Sequence, residues 1–108
     1  MKAFAVLVLA VVACNHAAEA VKCKMTDYYS RDLTSAGDNE ALELIRAENP
    51  SDNICAKPKF MEVKTLDGVD WTDAGQVVKI GHQFGFLCLN ADQPAGSKCK
   101  DYRIRFCC

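Results

Sequence analysis

The stretch 75–108 reads GQVVKIGHQFGFLCLNADQPAGSKCKDYRIRFCC, and it decides the fold. It contains four of the seven cysteines and three runs in which apolar residues recur at alternate positions. In the last run, the face that ends at Cys108 carries the apolar side chains of Tyr102, Ile104 and Phe106. Cys107 lies on the opposite face, so the two terminal cysteines are expected to bond separate partners.

The alternating runs predict β-strands. Two strands, Gln76–Ile80 and Phe84–Leu89, flank a short turn at 81–83, and the last strand spans Cys99–Cys108. Farther upstream, Phe60–Thr65 has the composition and alternation of another strand.

One helix is predicted on the N-terminal side. It starts near Asp38, carries an apolar stripe that includes Leu42 and Ile45, and ends at Pro50. The only tryptophan, Trp71, follows in a loop and is expected to anchor packing. The predicted class is α+β and β-rich: a small antiparallel sheet stapled by disulfides, with one short helix.

The first 20 residues are typical of a secretory signal peptide. Lys2 precedes the apolar run 3–13, and small residues at Ala18 and Ala20 suit a signal peptidase. A buried N-terminal helix and a lipoprotein signal ending at Cys14 are the alternatives. The predicted organisation is a signal peptide at 1–20 and one domain at 21–108, secreted to the extracellular space.

The charge balance excludes several classes of partner. The net charge is −1, and it stays −1 after removal of residues 1–20. This balance gives no basic footprint for nucleic acid or an anionic membrane. The mature chain has no apolar stretch long enough to cross a membrane.

Six cysteines remain in the mature chain, which is typical of three disulfides in a small secreted domain. Zinc is disfavoured because there is no Cys-x-x-Cys pair and the mature chain has one histidine. Excluding a bond between the last two cysteines leaves 12 of the 15 pairings. We favour Cys88–Cys99, with the first two of the six reaching the last two; the cysteines are Cys23, Cys55, Cys88, Cys99, Cys107 and Cys108.

The sequence offers little for catalysis. Nucleophilic catalysis needs a base beside a serine or cysteine, and the mature chain has only His82, in a predicted turn. No phosphate-binding glycine loop or metal-hydrolase motif is present. We therefore predict that the protein is not an enzyme.

A family resemblance covers nearly the whole mature chain. Its most specific part is the C-terminal block, with Gly75-Gln76-Val77-Val78, Gly85 to Gln93, and Cys99 to Cys108. Upstream, Gly37-Asp38-Asn39-Glu40 and Cys55-Ala56-Lys57-Pro58 add to it. The chain resembles the WxxW domain, the cysteine-rich CysD module of gel-forming mucins that also occurs in cartilage intermediate layer proteins.

Three departures from that family stand out. Met25 and Tyr28 replace the two tryptophans, so the C-mannosylation proposed for that motif is not expected here. Two family cysteines are absent, near Leu66 and at Ile80, which implies one fewer disulfide. Ser30 stands where an amide ligand is expected.

The resemblance implies a non-enzymatic module that binds calcium and self-associates. Composition alone favours solvated loop acids over a cation site. Carried over from the family, the calcium candidates are Ser30, Asp32, Asp38 and Asp92.

Protein–protein association is the expected function, with itself or with mucin-like extracellular proteins, in an extracellular matrix, mucus or gut lumen. The alternative is a soluble monomeric effector, such as a developmental or host-defence factor, that binds a receptor or microbial surface.

Overall fold

A computed structural model describes residues 22–108. The predicted signal peptide, including the alternative lipid-attachment position at Cys14, lies outside the described residues. Within 22–108, none of the helices has the length and apolar composition needed to cross a lipid bilayer.

Five strands and one α-helix make up the regular structure of this part of the chain. In chain order they are β1 (Gly37–Ala41), α1 (Leu42–Glu48), β2 (Phe60–Thr65), β3 (Lys79–Gly81), β4 (Gly85–Leu89) and β5 (Tyr102–Cys107). Short 3-10 helices occur at Pro50–Asp52, Trp71–Asp73 and Asn90–Asp92. The predicted α+β, β-rich class with one short helix is confirmed.

The strands form two antiparallel sheets. One has the order β1-β4-β3, and the other pairs β2 with β5 over six residues, from Phe60 opposite Cys107 to Thr65 opposite Tyr102. The prediction of a single sheet is thus refined to two.

An N-terminal segment runs along the second edge of β5. Met25 bridges to Cys107 and Tyr29 bridges to Ile104. The backbone N–H groups of Tyr29 and Ile104 donate to each other's carbonyl oxygens at 2.7 and 2.8 Å. β5 therefore lies between β2 on one side and this early segment on the other.

The core is built around the buried face of β5. Tyr102, Ile104 and Phe106 are fully buried, as the alternation predicted. They pack with Phe86 from β4 and with the apolar side of α1. The alternation breaks at the end of the strand, where Cys107 is buried and Cys108 is exposed, the reverse of the prediction.

The predicted start of the helix is wrong by about four residues. Residues 37–41 form β1, which pairs with β4, and the helix begins at Leu42. Glycine permits this pairing because Gly37 adopts φ of +142°, and a Cβ atom there would lie 2.0 Å from the carbonyl oxygen of Cys88.

The predicted strand at Gln76–Ile80 is shorter than expected. Only Lys79 and Ile80 of the predicted strand belong to β3. Before them, the backbone at Val77 is hydrogen-bonded to a side chain and not to a neighbouring strand. The Gln93 side chain accepts from the N–H of Val77 and donates to its carbonyl, at 2.9 and 2.7 Å. The carbonyl of the Gln76 side chain accepts from the hydroxyl of Tyr102 at 2.5 Å.

Three disulfides cross-link the domain, two of them between segments that are 84 and 53 positions apart in sequence. They are Cys23–Cys107, Cys55–Cys108 and Cys88–Cys99. This agrees with the favoured prediction of Cys88–Cys99, with Cys23 and Cys55 bonded to the last two cysteines, which left open which of the two joins Cys107. The two consecutive C-terminal cysteines bind different segments, so β5 is tied both to the start of the domain and to the loop before β2.

Candidate functional site

Two acidic side chains of β1 are fully buried. Asp38 and Glu40 each have a relative exposed area of 0%. They occupy alternate positions of a strand, so both side chains lie on the same face. Their strand partners on β4 are Cys88 and Phe86. Two carboxyl groups buried side by side are costly unless protons, hydrogen bonds or a cation compensate them.

Backbone N–H groups satisfy part of this pair. The Asp38 Oδ2 atom accepts from the N–H of Tyr102 at 2.6 Å. Both carboxylate oxygens of Glu40 accept from the N–H of Arg31, at 2.7 and 3.0 Å. The remaining oxygen of Asp38, Oδ1, is buried and has no hydrogen-bond partner within the described residues.

A third carboxylate, from the residue immediately before β5, lies close to Asp38 and Glu40. Asp101 precedes Tyr102, and one of its oxygens lies within 4.8 Å of ligand atoms from both Asp38 and Glu40. The hydroxyl of Ser30 lies 3.5 Å from Asp101 Oδ1 and donates to the carbonyl oxygen of Tyr102 at 2.8 Å. We call Asp38, Glu40 and Asp101 the acidic cluster.

Burial sets the protonation of Asp38 and Glu40. Desolvation raises the pKa of Glu40 to about 9, with further contributions from the hydrogen bond and negative charge of Asp38. Desolvation also raises the pKa of Asp38, against the hydrogen bond from Tyr102. At neutral pH and without a cation, the buried pair therefore retains a proton.

The donor set fits a hard divalent cation. Calcium takes six to eight oxygen ligands, mostly from carboxylates, hydroxyls, carbonyls and water. The acidic cluster supplies three carboxylates, with the Ser30 hydroxyl and the Tyr102 carbonyl beside it. The Oδ1 atom of Asp38 is the observation that fits a cation best, because a buried carboxylate oxygen needs either a proton from its neighbour or a cation as its partner.

The four calcium candidates from the sequence separate in the structure. Asp38 belongs to the acidic cluster and Ser30 adjoins it. Asp32 and Asp92 are exposed and are not part of the cluster. Asp92 lies instead in the short 3-10 helix that follows β4.

Sequence reasoning missed two members, Glu40 and Asp101. Glu40 was assigned to the first turn of a helix, where it would not share a face with Asp38. Reading 37–41 as a strand would have placed the two carboxylates together. Asp101 carries no local signal, since only the pairing of β5 brings it to the cluster.

The groups needed for covalent catalysis are not assembled. All six cysteines from 22 to 108 are in disulfides. His82 is exposed in the turn between β3 and β4 and is not part of the acidic cluster.

A second polar feature lies on the outer face of β5. The guanidinium carbons of Arg103 and Arg105 lie 4.5 and 4.7 Å from the ring centroid of Tyr28. Tyr28 is the residue that replaces a family tryptophan. The aromatic ring holds both cations through their attraction to its electron-rich face.

Comparisons with known proteins agree with the resemblance noted from the sequence. A family model described as the mucin-2 protein WxxW repeating region matches residues 25–108. Human cartilage intermediate layer protein 1 is 40% identical over 72 residues, which is 67% of this chain and 6% of that protein. Human cartilage intermediate layer protein 2 is 36% identical over 72 residues, with the same coverage.

A mucin is also similar to the chain. Human mucin-5B is 33% identical over 94 residues, which is 81% of this chain and 2% of that protein. The chain thus spans only a small part of the length of each of these relatives.

Proposed function

The chain belongs to the family of the mucin-2 WxxW repeating region, and from this we propose that it is a secreted binding module that associates with itself or with a mucin-like extracellular protein. The family is not one of enzymes. Three disulfides within 87 described residues support an oxidising compartment, since such bonds persist outside the cell and are rare in the cytosol.

We further propose that a calcium ion binds at the acidic cluster, with Asp38, Glu40 and Asp101 as its carboxylate ligands. The observation that carries this proposal is the buried, unpartnered Oδ1 atom of Asp38. A bound cation would supply the positive charge that otherwise requires a retained proton. The Ser30 hydroxyl lies beside Asp101 and the Tyr102 carbonyl, so these two oxygens are the candidates for further ligands.

The position of the acidic cluster supports a link between the cation and the shape of the module. Glu40 is hydrogen-bonded to the N-terminal segment through Arg31, and Asp38 is hydrogen-bonded to β5 through Tyr102. A cation there would fix three parts of the chain relative to one another. Its removal is expected to loosen the surfaces that these parts present.

Exposed apolar side chains offer contact area for association. The large apolar residues with more than 40% of their area exposed within 22–108 are Leu33, Leu66, Val77 and Phe84. Such side chains on a small domain are compatible with a protein partner, because burying them releases water from apolar surface.

The test is the mass of the oxidised domain in solution, measured by sedimentation equilibrium across a range of concentrations, with calcium and then with chelator. A dimer that dissociates on chelation supports self-association coupled to the cation. A dimer that persists supports association without that coupling. A monomer under all conditions overturns self-association and favours a monomeric effector with a different partner.

A further inference from the structure

The outer face of the β2–β5 sheet has an excess of positive charge. Register places Lys64 opposite Arg103 and Glu62 opposite Arg105, and directly opposed residues share a face. Asp70 forms a bridge with Lys64 from the other side, so three cations and two carboxylates lie together in a protein whose net charge is −1. This local excess is not explained by the acidic cluster, which lies on the buried side of β1.

The two arginines differ in how they are paired. Arg105 forms an ion pair with Glu62, and the other ion pair within residues 22–108 joins Arg31 to Glu48. Arg103 has no carboxylate partner in this part of the chain. Its nearest residue across the sheet is a lysine, which repels it.

Tyr28 holds Arg103 in a defined position. The guanidinium carbon lies 4.5 Å from the ring centroid, and the Nε atom is buried without a hydrogen-bond partner. The two terminal nitrogens are not buried in this way and make no hydrogen bond within the described residues. A planar cation held against an aromatic ring, with terminal N–H groups that make no hydrogen bond within the described residues, is suited to bind an oxyanion.

The second guanidinium is close enough to contribute. Both distances are measured to the same ring centroid, so the guanidinium carbons of Arg103 and Arg105 are no more than about 9 Å apart. A sulfate ester has three terminal oxygens and remains ionised at physiological pH. One such group can accept hydrogen bonds from Arg103 while the charge of Arg105 adds attraction at short range.

A polar cleft adjoins the arginine pair and shares Tyr28 with it. Its lining includes the hydroxyl side chains of Tyr29, Ser30 and Thr34, and the amide of Asn49. The charged residues of the lining are Arg31 and Glu48, which form an ion pair, and Asp32. Hydroxyl and amide groups match the hydroxyls of a sugar ring better than they match the apolar anchors of a protein partner.

We propose that Tyr28, Arg103 and Arg105 anchor a binding site for a sulfated polysaccharide, with a sulfate group at Arg103 and the adjoining sugar in the polar cleft. The arginine pair is separate from the acidic cluster, whereas the cleft adjoins that cluster at Ser30 and Arg31. The proposal goes beyond the association function above and does not require self-association or calcium.

The test uses dextran sulfate oligosaccharides and isothermal titration calorimetry on the oxidised domain, in parallel with NMR of the arginine Nε–Hε groups. Three comparison probes are uncharged dextran, hyaluronan with carboxylates only, and poly-glutamate of equal charge. The expected result is saturable binding of dextran sulfate, a shifted Arg103 resonance, and binding weakened about tenfold by Arg103→Gln, because a charge-assisted hydrogen bond is lost.

Lys98→Gln is the matched control, since it removes one positive charge from an exposed loop residue. It should weaken binding less than twofold. Equal weakening by Arg103→Gln and Lys98→Gln would overturn the site, because it would show diffuse attraction only.

Equal binding of poly-glutamate would overturn the assignment to a saccharide, and equal binding of hyaluronan would overturn the requirement for sulfate. Equal binding of uncharged dextran would overturn the role of the arginines. If Arg103→Gln does not fold, Arg103→Lys replaces it; that variant keeps the charge but loses the planar donor, and it should still bind more weakly than the wild type.

Discussion

The Asp38 carboxylate and the backbone N–H of Tyr102 form a hydrogen bond of 2.6 Å between residues that are 64 positions apart in sequence. This contact joins the start of β1 to the start of β5, and the second oxygen of Asp38 has no hydrogen-bond partner within the described residues. The charge on that oxygen is therefore expected to affect both the stability of the fold and the binding of a cation.

Asp38→Asn should separate these two properties. The amide oxygen can still accept from Tyr102, and the new N–H₂ group can donate to Glu40, so we expect the calcium-free variant to be at least as stable as the wild type. At calcium about 100 times the wild-type Kd, the wild type should gain about 2.7 kcal/mol in the free energy of unfolding. The variant should gain little.

Thermal unfolding by circular dichroism, with calcium and with chelator, measures this difference. Asp92→Asn is the control, because Asp92 is an exposed aspartate outside the acidic cluster. An equal calcium shift in Asp38→Asn and the wild type would show that the ion does not bind at the acidic cluster.

Without calcium, stability should fall as the pH rises from about 4.5 toward about 9. In the unfolded chain Glu40 loses its proton near its ordinary pKa of 4.5, whereas burial keeps the pKa of the folded-state group at about 9. Between these values the unfolded state binds fewer protons, so deprotonation favours unfolding. Urea denaturation in chelator at several pH values measures the slope.

Glu40→Gln is the matched variant for the pH series, since it removes the titrating group and keeps the shape. Its stability should depend less on pH across the same window. A wild-type slope of the opposite sign in chelator would contradict the assignment of a retained proton to this buried pair.

Gly85→Ala should destabilise the fold by about 3 kcal/mol or more, because it combines overpacking with a strained backbone. Gly85 has φ of +99°, and a Cβ atom would lie 2.4 Å from the carbonyl oxygen of Glu40 and 2.6 Å from the backbone nitrogen of Leu42. Gly96→Ala is the control: φ is +81°, but the space around it is open.

In the control, the free energy of unfolding should fall by only about 1–2 kcal/mol, the cost of the left-handed backbone conformation. Urea denaturation of the oxidised variants gives both values. If the free energy of unfolding falls equally in the two variants, then the close contact between β1 and β4 at Gly85 does not add to the cost of the substitution.

Removing the Cys55–Cys108 disulfide with Cys55→Ser and Cys108→Ser should cost about 4 kcal/mol, from the closure entropy of a loop with a sequence separation of 53. Cys108 is exposed, so the double variant leaves little cavity there. Chemical denaturation with the other two disulfides intact measures the loss. An unchanged unfolding midpoint would show that this bond does not constrain the unfolded chain.

Strand positions were predictable where alternation and burial agree. β2 has the bounds Phe60–Thr65 that the sequence predicted, because one side of it faces the core and the other is polar. The buried face of β5 was predicted from the same pattern. The alternation failed at Cys107, since a disulfide to Cys23 holds that side chain inside the protein.

The acidic cluster was harder to predict because its members are joined by tertiary pairing. The segment Gly37-Asp38-Asn39-Glu40 has the acidic residues of a helix start, yet its hydrogen bonds to β4 prevail over that local preference. Only this strand geometry brings Asp38 and Glu40 to one face. The stacking of Arg103 and Arg105 on Tyr28 likewise depends on a contact between the two ends of the domain, which no local pattern in the sequence contains.

The position of β5 between β2 and the N-terminal segment also determines when the domain can fold. Both of its neighbours are synthesised earlier, yet neither has a partner in the core until residues 102–107 have left the ribosome. Contacts between residues so far apart in sequence form slowly, since the intervening loops must close first. The domain is therefore expected to fold only once residues 102–107 are available. Two of its three disulfides cannot form before Cys107 and Cys108 are available, and until then the thiols of Cys23 and Cys55 can react with other partners.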